Sequence, residues 1–345
     1  MVLYHAAGVF TPGSYLPLSS WTRVFGFGHV GVELFFVLSG FIICHAHWQE
    51  PGGWLCARRF ILRRVTRIYP MVFIAATIGL SLRALSGKPV SADQILSSFT
   101  LLDFNFMFYP TVLWSLSLEI VFYTLFLARY ISRTLFLALL VAWAIAAPAV
   151  YFSLPALGHR LGPISTLFLH WNSLFGLGVG VYLLRHARLL PLAALRLPLW
   201  LAAAAMFVPA LAYDSYVLPA LPAATAGLVQ HILTFPYGIA AALALLAVLG
   251  QQSLPPWTRA LAAVGNASFS IYLFHIFPMQ LVGRALEKAG FAAAWLPGVL
   301  VPVLALSGMG VGLVAYRLVE KPLSRLFGRS LKAGRAGWQT SMPAT

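Results

Sequence analysis

The stretch HVGVELFFVLSGFIICHAH (residues 29–47) combines the length of a membrane-spanning helix with two ionisable groups near its start. About 20 apolar residues cross a bilayer as a helix. Glu33 lies within this run, and His29 precedes it by one turn. A carboxylate in hydrocarbon costs several kcal/mol unless it is paired, hydrated or neutralised. The stretch therefore predicts a membrane helix whose polar side faces other helices or a water-filled space.

The composition extends this prediction to the whole chain. Of its 345 residues, 60% are hydrophobic and 9% are charged, and the mean hydropathy is +0.85. A soluble domain usually has about a quarter charged residues. Long apolar runs recur along the sequence, and the short alternating segments of a membrane β-barrel are absent from it. The predicted fold class is therefore all-α, a polytopic membrane protein with about ten transmembrane helices.

Ten apolar runs are predicted as helices. They cover residues 1–10, 29–47, 68–86, 112–128, 134–152, 165–184, 198–213, 228–249, 264–283 and 296–316. The first run is too short to span and ends at Thr11-Pro12-Gly13, so we expect a truncated membrane helix there, with a re-entrant segment as the alternative. The sequence contains no apparent soluble domain or internal repeat. Residues 1–345 are predicted to form a single membrane domain with a basic tail at about 321–345.

Positive charge is distributed unevenly between the predicted loops. If the loop that follows residues 29–47 is cytoplasmic, 17 of the 23 Lys and Arg residues share its side. They are Arg58, Arg59, Arg63, Arg64, Arg67, Arg129, Arg133, Arg185, Arg188, Arg196, Arg259, Arg317, Lys321, Arg325, Arg329, Lys332 and Arg335. Since cytoplasmic loops collect Lys and Arg, the C-terminus is predicted to be cytoplasmic. The net charge of +15 then reflects topology and contact with anionic membrane lipid, and we expect no nucleic-acid partner.

Four ionisable side chains are predicted at membrane depth: His5, Glu33, Glu119 and His275. Because such groups are unfavourable against lipid, we expect them to face a common interior or a water-filled cavity. Imidazole and carboxylate groups are the usual general acids and bases near neutral pH. The alternative for each residue is a structural His–Glu hydrogen bond that joins two helices. For the set as a whole, a catalytic function is the favoured interpretation.

The basic stretch CARRFILRRVTRIYP (residues 56–70) is the second informative segment. In a helix, Arg59, Arg63 and Arg67 are spaced by four residues and share a face, and Arg64 lies beside Arg63. Several guanidinium groups at one interface suit a phosphate-rich ligand, because each can bind two oxygens at once. The alternative is an ordinary positively charged anchor beside anionic headgroups.

Six motifs occur in the order and approximate spacing of a known family. They are VLYHA (2–6), GVELFFVLSGFII (31–43), RRFILRRVTRIYP (58–70), LWSLSLEIVFY (113–123), SFSIYLFH (268–275) and LVEKP (318–322). Together they resemble the membrane acyltransferase-3 family, which includes O-antigen and exopolysaccharide O-acetyltransferases. The resemblance implies a ten-helix enzyme of the bacterial inner membrane. Such an enzyme moves an acyl group, often acetyl from cytoplasmic acetyl-CoA, to a hydroxyl of a carbohydrate or lipid-linked glycan.

The resemblance also implies roles for individual residues. It makes His5 the leading catalytic candidate, with Glu33 and Glu119 as further catalytic residues, and it assigns donor binding to the arginine-rich motif. The donor-binding residues are Arg59, Arg63, Arg64 and Arg67, and the supporting residues are Trp114, Ser115, Ser117 and His275. The family usually has an arginine about three turns before the histidine of the first helix, and no position here corresponds to it. No metal and no resident cofactor are expected, because acyl-CoA is a co-substrate.

Two chemical roles and two other protein classes stay open at this stage. His5 could take the proton from the acceptor hydroxyl or could carry the acyl group itself, and the first role is favoured. Glu33 and Glu119 are both candidates for the carboxylate that orients its imidazole. A proton-coupled secondary transporter could use the same buried groups. The remaining alternative is a non-catalytic subunit of a polysaccharide-export system.

Overall fold

The computed structural model describes residues 1–8, 25–102, 107–153, 166–251, 255–256, 258–289 and 296–327. Within these ranges the chain forms helices and no strand. The helices are α1 (Val2–Gly8), α2 (Gly31–His47), α3 (Trp54–Leu85), α4 (Ala92–Thr100), α5 (Trp114–Phe126), α6 (Arg133–Ser153), α7 (Asn172–His186), α8 (Leu192–Ala212), α9 (Ala223–Leu249), α10 (Thr258–Asn266), α11 (Ser268–Phe274), α12 (Ile276–Lys288) and α13 (Leu296–Ala315).

Seven helical segments of the described chain are long and apolar enough to cross a membrane. They are Gly26–His47, Trp54–Leu85, Thr111–Tyr130, Arg133–Ser153, Leu192–Ala220, Ala223–Leu249 and Gly298–Phe327. The predicted all-α polytopic fold is therefore confirmed, and the count of ten spans stays a prediction. Helix α7 has only 15 residues, and the predicted helix at 264–283 is divided, so neither satisfies the length of a continuous span.

Two of the predicted helices differ from the structure in informative ways. The helix predicted at 68–86 begins earlier, at Trp54, and includes the basic stretch, so that α3 is one helix of 32 residues. At the other end of the chain, α11 and α12 are separated at His275. Pro278 has no N–H to donate to the carbonyl of Phe274, and the His275 side chain bonds to backbone carbonyls of the preceding turn. Both effects favour a break at His275.

Helix α2 is the centre of the bundle and packs against α7 and α9. Its crossing with α7 depends on Gly40 and Gly178, since a Cβ at Gly40 would overlap the carbonyl of Phe175 and one at Gly178 the carbonyl of Val37. Small residues allow membrane helices to approach this closely. The stacked rings of Phe122 and Phe175, 4.5 Å apart, extend the same core towards α5. The rotation of α2 about its own axis is therefore fixed by its close backbone contact with α7.

Helix α1 packs on α12, on α13 and on the short turn Gly26–Val30 that precedes α2. Ala6 and Ala7 are buried against Met279 and Leu304 in a small apolar core, separate from the larger core around α2. This packing fixes the rotation of α1. As a result, His5 faces the break between α11 and α12.

Side-chain contacts gather several basic loops at one end of the bundle. Arg129 donates to the carbonyl oxygens of Trp48 and Glu50, and Nη2 of Arg64 lies 3.0 Å from Nε2 of His47. At the opposite end, Arg284 bonds to the Ser86 hydroxyl. The segments around Trp48, Arg64 and Arg129, which the charge pattern placed on one side of the membrane, thus lie at the same end of the bundle. That this end is cytoplasmic stays a prediction.

Candidate functional site

A cavity of about 280 Å³ runs between α2, α3, α5 and α11, and we refer to it as the central cavity. Arg64 and Arg67 border it at the end where the basic loops gather, and Met1 and Gly31 border it at the other. Along α2 its lining extends from Gly31 to Ile43, which corresponds to about 18 Å at the rise of an α-helix. The cavity therefore connects the arginine-rich end of α3 with the helical turn that contains His5.

Glu119 lies on the wall of the central cavity, deep in the bundle. Its Oε1 accepts a hydrogen bond from the Tyr123 hydroxyl and another from Ser39 Oγ at 3.2 Å. The guanidinium group of Arg64 stands over the Tyr123 ring, 5.6 Å from its centroid. Glu119 is thus placed beside the arginine end of the cavity, and no hydrogen bond joins it to His5 within the described residues.

Ser115 and Tyr272 form the next polar group along the cavity. The Ser115 and Tyr272 hydroxyls lie within hydrogen-bonding distance of each other and of the Val112 carbonyl, which is 3.2 Å from Ser115 Oγ and 2.6 Å from the Tyr272 hydroxyl, and since each hydroxyl has one hydrogen, two of these three bonds form at a time. Trp114 packs against Trp171 with ring centroids 5.0 Å apart, and Ser117 is buried outside the cavity lining. The predicted supporting residues of this motif therefore divide between the cavity wall and the surrounding core.

His5 and His275 lie together beyond the Met1 end of the central cavity. Their ring centroids are 5.1 Å apart, and the backbone N–H of His5 donates to the Met1 carbonyl at 3.0 Å. Nδ1 of His275 is 2.9 Å from the Ile271 carbonyl and 2.8 Å from that of Tyr272. Because carbonyl oxygens only accept, Nδ1 carries the hydrogen and Nε2 carries the lone pair. This Nε2 is buried and has no hydrogen-bond partner among the described residues.

Glu33 is oriented away from His5, towards α7 and α9. Its Oε1 accepts from Trp171 Nε1 at 3.4 Å and from Thr234 Oγ1 at 3.5 Å. Glu33 precedes Val37 by four residues and so shares the α2 face that packs on α7, whereas Leu38 and Ser39 line the cavity. Within the described residues no hydrogen bond joins Glu33 to His5. Glu33 was one of the two carboxylates considered as the partner of the His5 imidazole. The structure does not form that contact.

Two histidines not selected from the sequence extend the surroundings of Glu33. Nε2 of His170 is 3.3 Å from Thr234 Oγ1, and the His170 and His231 ring centroids are 4.9 Å apart. Both lie in predicted membrane helices, so the rule for intramembrane ionisable groups could have identified them. In the part of the chain that the structure describes, no three His, Cys, Asp or Glu side chains are grouped to hold a metal ion.

Asp214 is a further residue that sequence reasoning missed. Its Oδ2 lies 3.6 Å from His29 Nε2 and accepts a hydrogen bond from the Tyr237 hydroxyl at 3.4 Å. The Tyr4 ring, next to His5 in sequence, is 6.1 Å from the His29 ring. Asp214 directly follows the helix predicted at 198–213. An acidic residue at the end of a membrane helix could have marked it as a candidate site residue. The pair gives His29, the histidine that precedes Glu33 in sequence, an acidic partner on a different helix.

A second cavity of about 520 Å³, the basic cavity, lies at the arginine end of the central cavity. Its lining is Arg63, Thr66, Arg67, Gly265, Asn266, Tyr316, Glu320, Lys321, Ser324, Arg325 and Phe327. Arg67 borders both cavities, Arg64 borders the central one, and Arg59 borders neither of them. Three of the four arginines predicted to bind the donor are therefore on cavity walls.

Glu50, in the loop between α2 and α3, balances part of this positive charge. It lies 3.4 Å from Arg63 and 3.1 Å from His47, and it accepts a hydrogen bond from Tyr130 at 2.7 Å. Burial acts to raise the pKa of Glu50, but the hydrogen bonds from Tyr130 and His47 and the nearby charges hold this pKa below its ordinary value. The carboxylate therefore stays ionised and pairs with Arg63.

An apolar cavity of about 470 Å³, the apolar cleft, lies between α2, α8 and α9. It shares Met1 and Gly31 with the central cavity, and small residues such as Ala204 and Ala244 leave the space open. Trp200 on its wall is 44% exposed, so the cleft opens to the outside of the bundle. The turn that contains His5 thus lies beside both the central cavity and the apolar cleft, which share Met1 and Gly31.

Comparisons with known proteins agree with the motif order. The family model described as "Acyltransferase domain", that of the acyltransferase-3 family, matches residues 1–317. The exopolysaccharide production protein ExoZ of Rhizobium meliloti (strain 1021) is 28% identical over 342 residues, covering 91% of this chain and 95% of that protein. No solved structure matches the chain significantly. The chain is therefore an integral membrane protein that belongs to the acyltransferase-3 family.

Proposed function

We propose that this membrane acyltransferase transfers an acyl group, acetyl in the simplest case, from acyl-CoA to a hydroxyl of a carbohydrate or lipid-linked glycan. The observation that carries the proposal is the central cavity, which joins Arg64 and Arg67 to the turn containing His5. A phosphate-rich donor is attracted at one end, and the base needed for transfer lies at the other. The name of the relative ExoZ supports a polysaccharide acceptor.

The central cavity suits the pantetheine arm of the donor, which is long, narrow and uncharged. Arginine side chains at its entrance can bind the phosphates bidentately. The Glu119 carboxylate on the wall can accept hydrogen bonds from the amide N–H groups of the arm. With the phosphates at the arginines, the thioester lies near Met1 and Gly31. Glu119 then acts in donor binding, which differs from the role as partner of His5 considered from the sequence.

In the reaction we assign the base to His5. The acceptor oxygen bonds to the acyl carbon while its proton passes to the His5 imidazole. The bond between the acyl carbon and the CoA sulfur then breaks, and the imidazolium returns the proton to the thiolate. We assign His275 as the positioning residue that keeps His5 oriented, because its ring is fixed by two carbonyls and lies 5.1 Å from the ring of His5. General-base catalysis of this kind contributes about 10²–10⁴-fold in rate.

The apolar cleft supports an acceptor that is attached to a lipid. A hydrocarbon chain in the cleft places its polar headgroup near Met1 and Gly31, where the thioester also lies. Because such a chain comes from a bilayer that is as apolar as the cleft, the cleft contributes mainly to the position of the headgroup, through packing of the chain. We place the protein in the bacterial inner membrane with its C-terminus in the cytoplasm, in agreement with the positive charge at the arginine end.

The test is transfer of labelled acetyl from acetyl-CoA by the purified full chain in lipid nanodiscs, with a lipid-linked oligosaccharide as acceptor. The parent should label the glycan, and His5→Ala should bind the donor but transfer at least 100-fold more slowly, by the ordinary contribution of a general base. Absence of both donor binding and transfer in the folded parent contradicts the proposal. Proton-coupled uptake of a solute by the same protein in sealed proteoliposomes would instead support the transporter, whose candidate relay is the connected set Glu33, Thr234 and His170.

A further inference from the structure

We propose that Lys321 and Arg325, together with Arg67, bind the nucleotide phosphates of acyl-CoA in the basic cavity. The pantetheine arm then passes Arg67 and enters the central cavity. This inference rests on the proposed function, since it names the two compartments of its donor site. It assigns a binding role to the chain segment after Glu320, which the sequence suggested only as a basic tail.

The first support is the charge of the basic cavity. Arg67, Lys321 and Arg325 on its wall form no hydrogen bond or ion pair within the described ranges. Arg63, the fourth cation, is paired with Glu50 at 3.4 Å. Three cations without a hydrogen-bonding partner among the described residues, against the single acid Glu320 on the same wall, give this cavity of about 520 Å³ a net positive charge that favours an anionic ligand.

The second support is the position of Glu320, the acid on the same wall. It is 7% exposed, and its Oε2 accepts a hydrogen bond from Ser270 Oγ at 2.5 Å. This bond ties the carboxylate to α11, and within the described residues no ion pair joins Glu320 to the cations. The acid therefore fixes the segment that contains Lys321 and offsets only part of the positive charge of the cavity.

The third support is the arrangement of the cations on two helical segments. Arg63 and Arg67 are one turn apart on α3, and Lys321 and Arg325 are one turn apart on the helical segment that ends at Phe327. Helix α11 contacts both α3 and the turn Tyr316–Glu320, so it holds the two segments on either side of the cavity. Arg67 on one segment and Lys321 and Arg325 on the other therefore offer separate positive charges, which suit a ligand with more than one phosphate.

The fourth support is the shared wall at Arg67. Because this residue borders both cavities, a ligand with phosphates in the basic cavity can extend into the central cavity past one side chain. Asn266 and Ser324 add hydrogen-bonding groups on the phosphate side. An anionic lipid headgroup has similar phosphate chemistry, but lipid tails lack the amide groups that Glu119 and Ser115 on the wall of the central cavity can bond. The nucleotide of acyl-CoA is therefore the occupant we infer.

The experiment measures binding of CoA, 3′-dephospho-CoA and pantetheine to the full chain in nanodiscs of zwitterionic lipid. Lys321→Gln and Arg325→Gln should each weaken CoA binding on the order of tenfold, since each removes a charge-assisted bond. Binding of pantetheine should not change. Lys321→Arg should retain CoA affinity because it keeps the charge. The matched control is Arg317→Gln, which removes a positive charge from the same segment outside the cavity lining.

The outcomes separate this inference from the proposed function. If the parent binds CoA and the Gln variants bind it equally well, the inference is wrong and the proposed function stands. The same binding is measured in a parallel set of nanodiscs that contain anionic lipid. If the Gln variants lose CoA affinity only in that set, the cavity is a headgroup site and the inference is also wrong. A folded parent that binds neither CoA nor pantetheine overturns the proposed function itself. Equal thermal stability of variants and parent excludes misfolding as the reason for lost affinity.

Discussion

The imidazole rings of His5 and His275 lie 5.1 Å apart, although these residues belong to the first and the penultimate predicted helices of the chain. The contact exists because α1 packs on α12 and α13, and because the helix that contains His275 breaks there. The buried Nε2 of His275 has no partner among the described residues, which costs about 1–3 kcal/mol, so this atom is available to a ligand or a proton. The pair lies one helical turn beyond the Met1 end of the central cavity and is therefore a candidate catalytic centre.

The first prediction concerns His275. Replacing it with Phe keeps an aromatic ring but removes both nitrogens, so His5 loses its polar neighbour. We expect kcat to fall by about 10–100-fold while donor affinity is maintained, because a positioning residue acts on the transition state. The measurement is steady-state transfer at saturating acetyl-CoA, with donor binding in parallel. His45→Phe, which changes a histidine near the opposite end of α2, is the control. An unchanged kcat in His275→Phe would remove His275 from the mechanism.

The second prediction separates the two glutamates. Glu119 lines the central cavity and Glu33 does not. Glu119→Gln should weaken binding of pantetheine several-fold, since a neutral amide is a poorer acceptor for its N–H groups. Glu33→Gln should leave that binding unchanged, because its partners are Trp171 and Thr234. The comparison uses direct binding in nanodiscs. Equal effects of the two changes would contradict the separation of Glu33 from the donor route.

The third prediction concerns the crossing of α2 and α7. A Cβ at residue 178 would overlap the Val37 carbonyl, so Gly178→Ala forces the two helices apart. We expect a loss of stability of about 1–3 kcal/mol, which is the usual range for overpacking. Thermal unfolding in detergent measures it. Gly180→Ala is the matched control, since a Cβ there meets no atom within 4 Å. A destabilised control or an unaffected Gly178→Ala would show that this crossing is not as close as described.

The fourth prediction is a pH dependence due to Glu50. Its pKa is lower in the folded protein than the ordinary value of 4.5, so ionisation stabilises the fold above that value. The stabilisation is lost as the pH falls below 4.5 and through the lower folded pKa. Glu50→Gln should therefore reduce the steepness of the acid limb in a plot of Tm against pH. Tyr130→Phe removes one of the bonds that lower this pKa and should have a smaller effect in the same direction.

The fifth prediction tests the apolar cleft. Ala244→Leu places a larger side chain in the cleft and should reduce transfer to a lipid-linked acceptor several-fold. Transfer to a water-soluble oligosaccharide should persist, because the acceptor then has no chain to bury. Ala205→Leu adds the same volume outside the cleft lining and is the control. A parallel loss with both acceptors would assign the cleft to structural packing.

The fold class was predictable from sequence because long apolar runs and their charged flanks carry that information locally. The grouping of arginines on α3 was also predictable, since residues four apart share a helix face. The break at His275 has a local signal in Pro278, which removes a backbone donor. By contrast, the partners of Glu33 are Trp171 and Thr234, on or beside helices whose packing depends on close backbone approach at glycines.

The partners of the ionisable groups could not be predicted for this reason. Sequence identifies which residues are unfavourable against lipid, but the rotation of each helix decides which of them meet. His29 and Asp214 show this well, since neither the spacing nor the pattern of either segment indicates that they form a pair. His5 likewise lies beside His275, whereas its position in the chain had suggested a carboxylate partner from α2 or α5.

Arg67 lies on the wall shared by the two cavities, so its position sets how far a donor anchored there can reach into the central cavity. If its guanidinium group anchors the phosphates, the rigid helices α2 and α3 fix the distance from that anchor to the Met1 end of the cavity. The thioester of every acyl-CoA then reaches the same depth, whatever acyl group it carries. Any carbon beyond an acetyl group must extend past Met1 and Gly31 towards the apolar cleft. Under this proposal, the selection of acyl chain length is decided at that boundary, far from the arginines proposed to bind the donor.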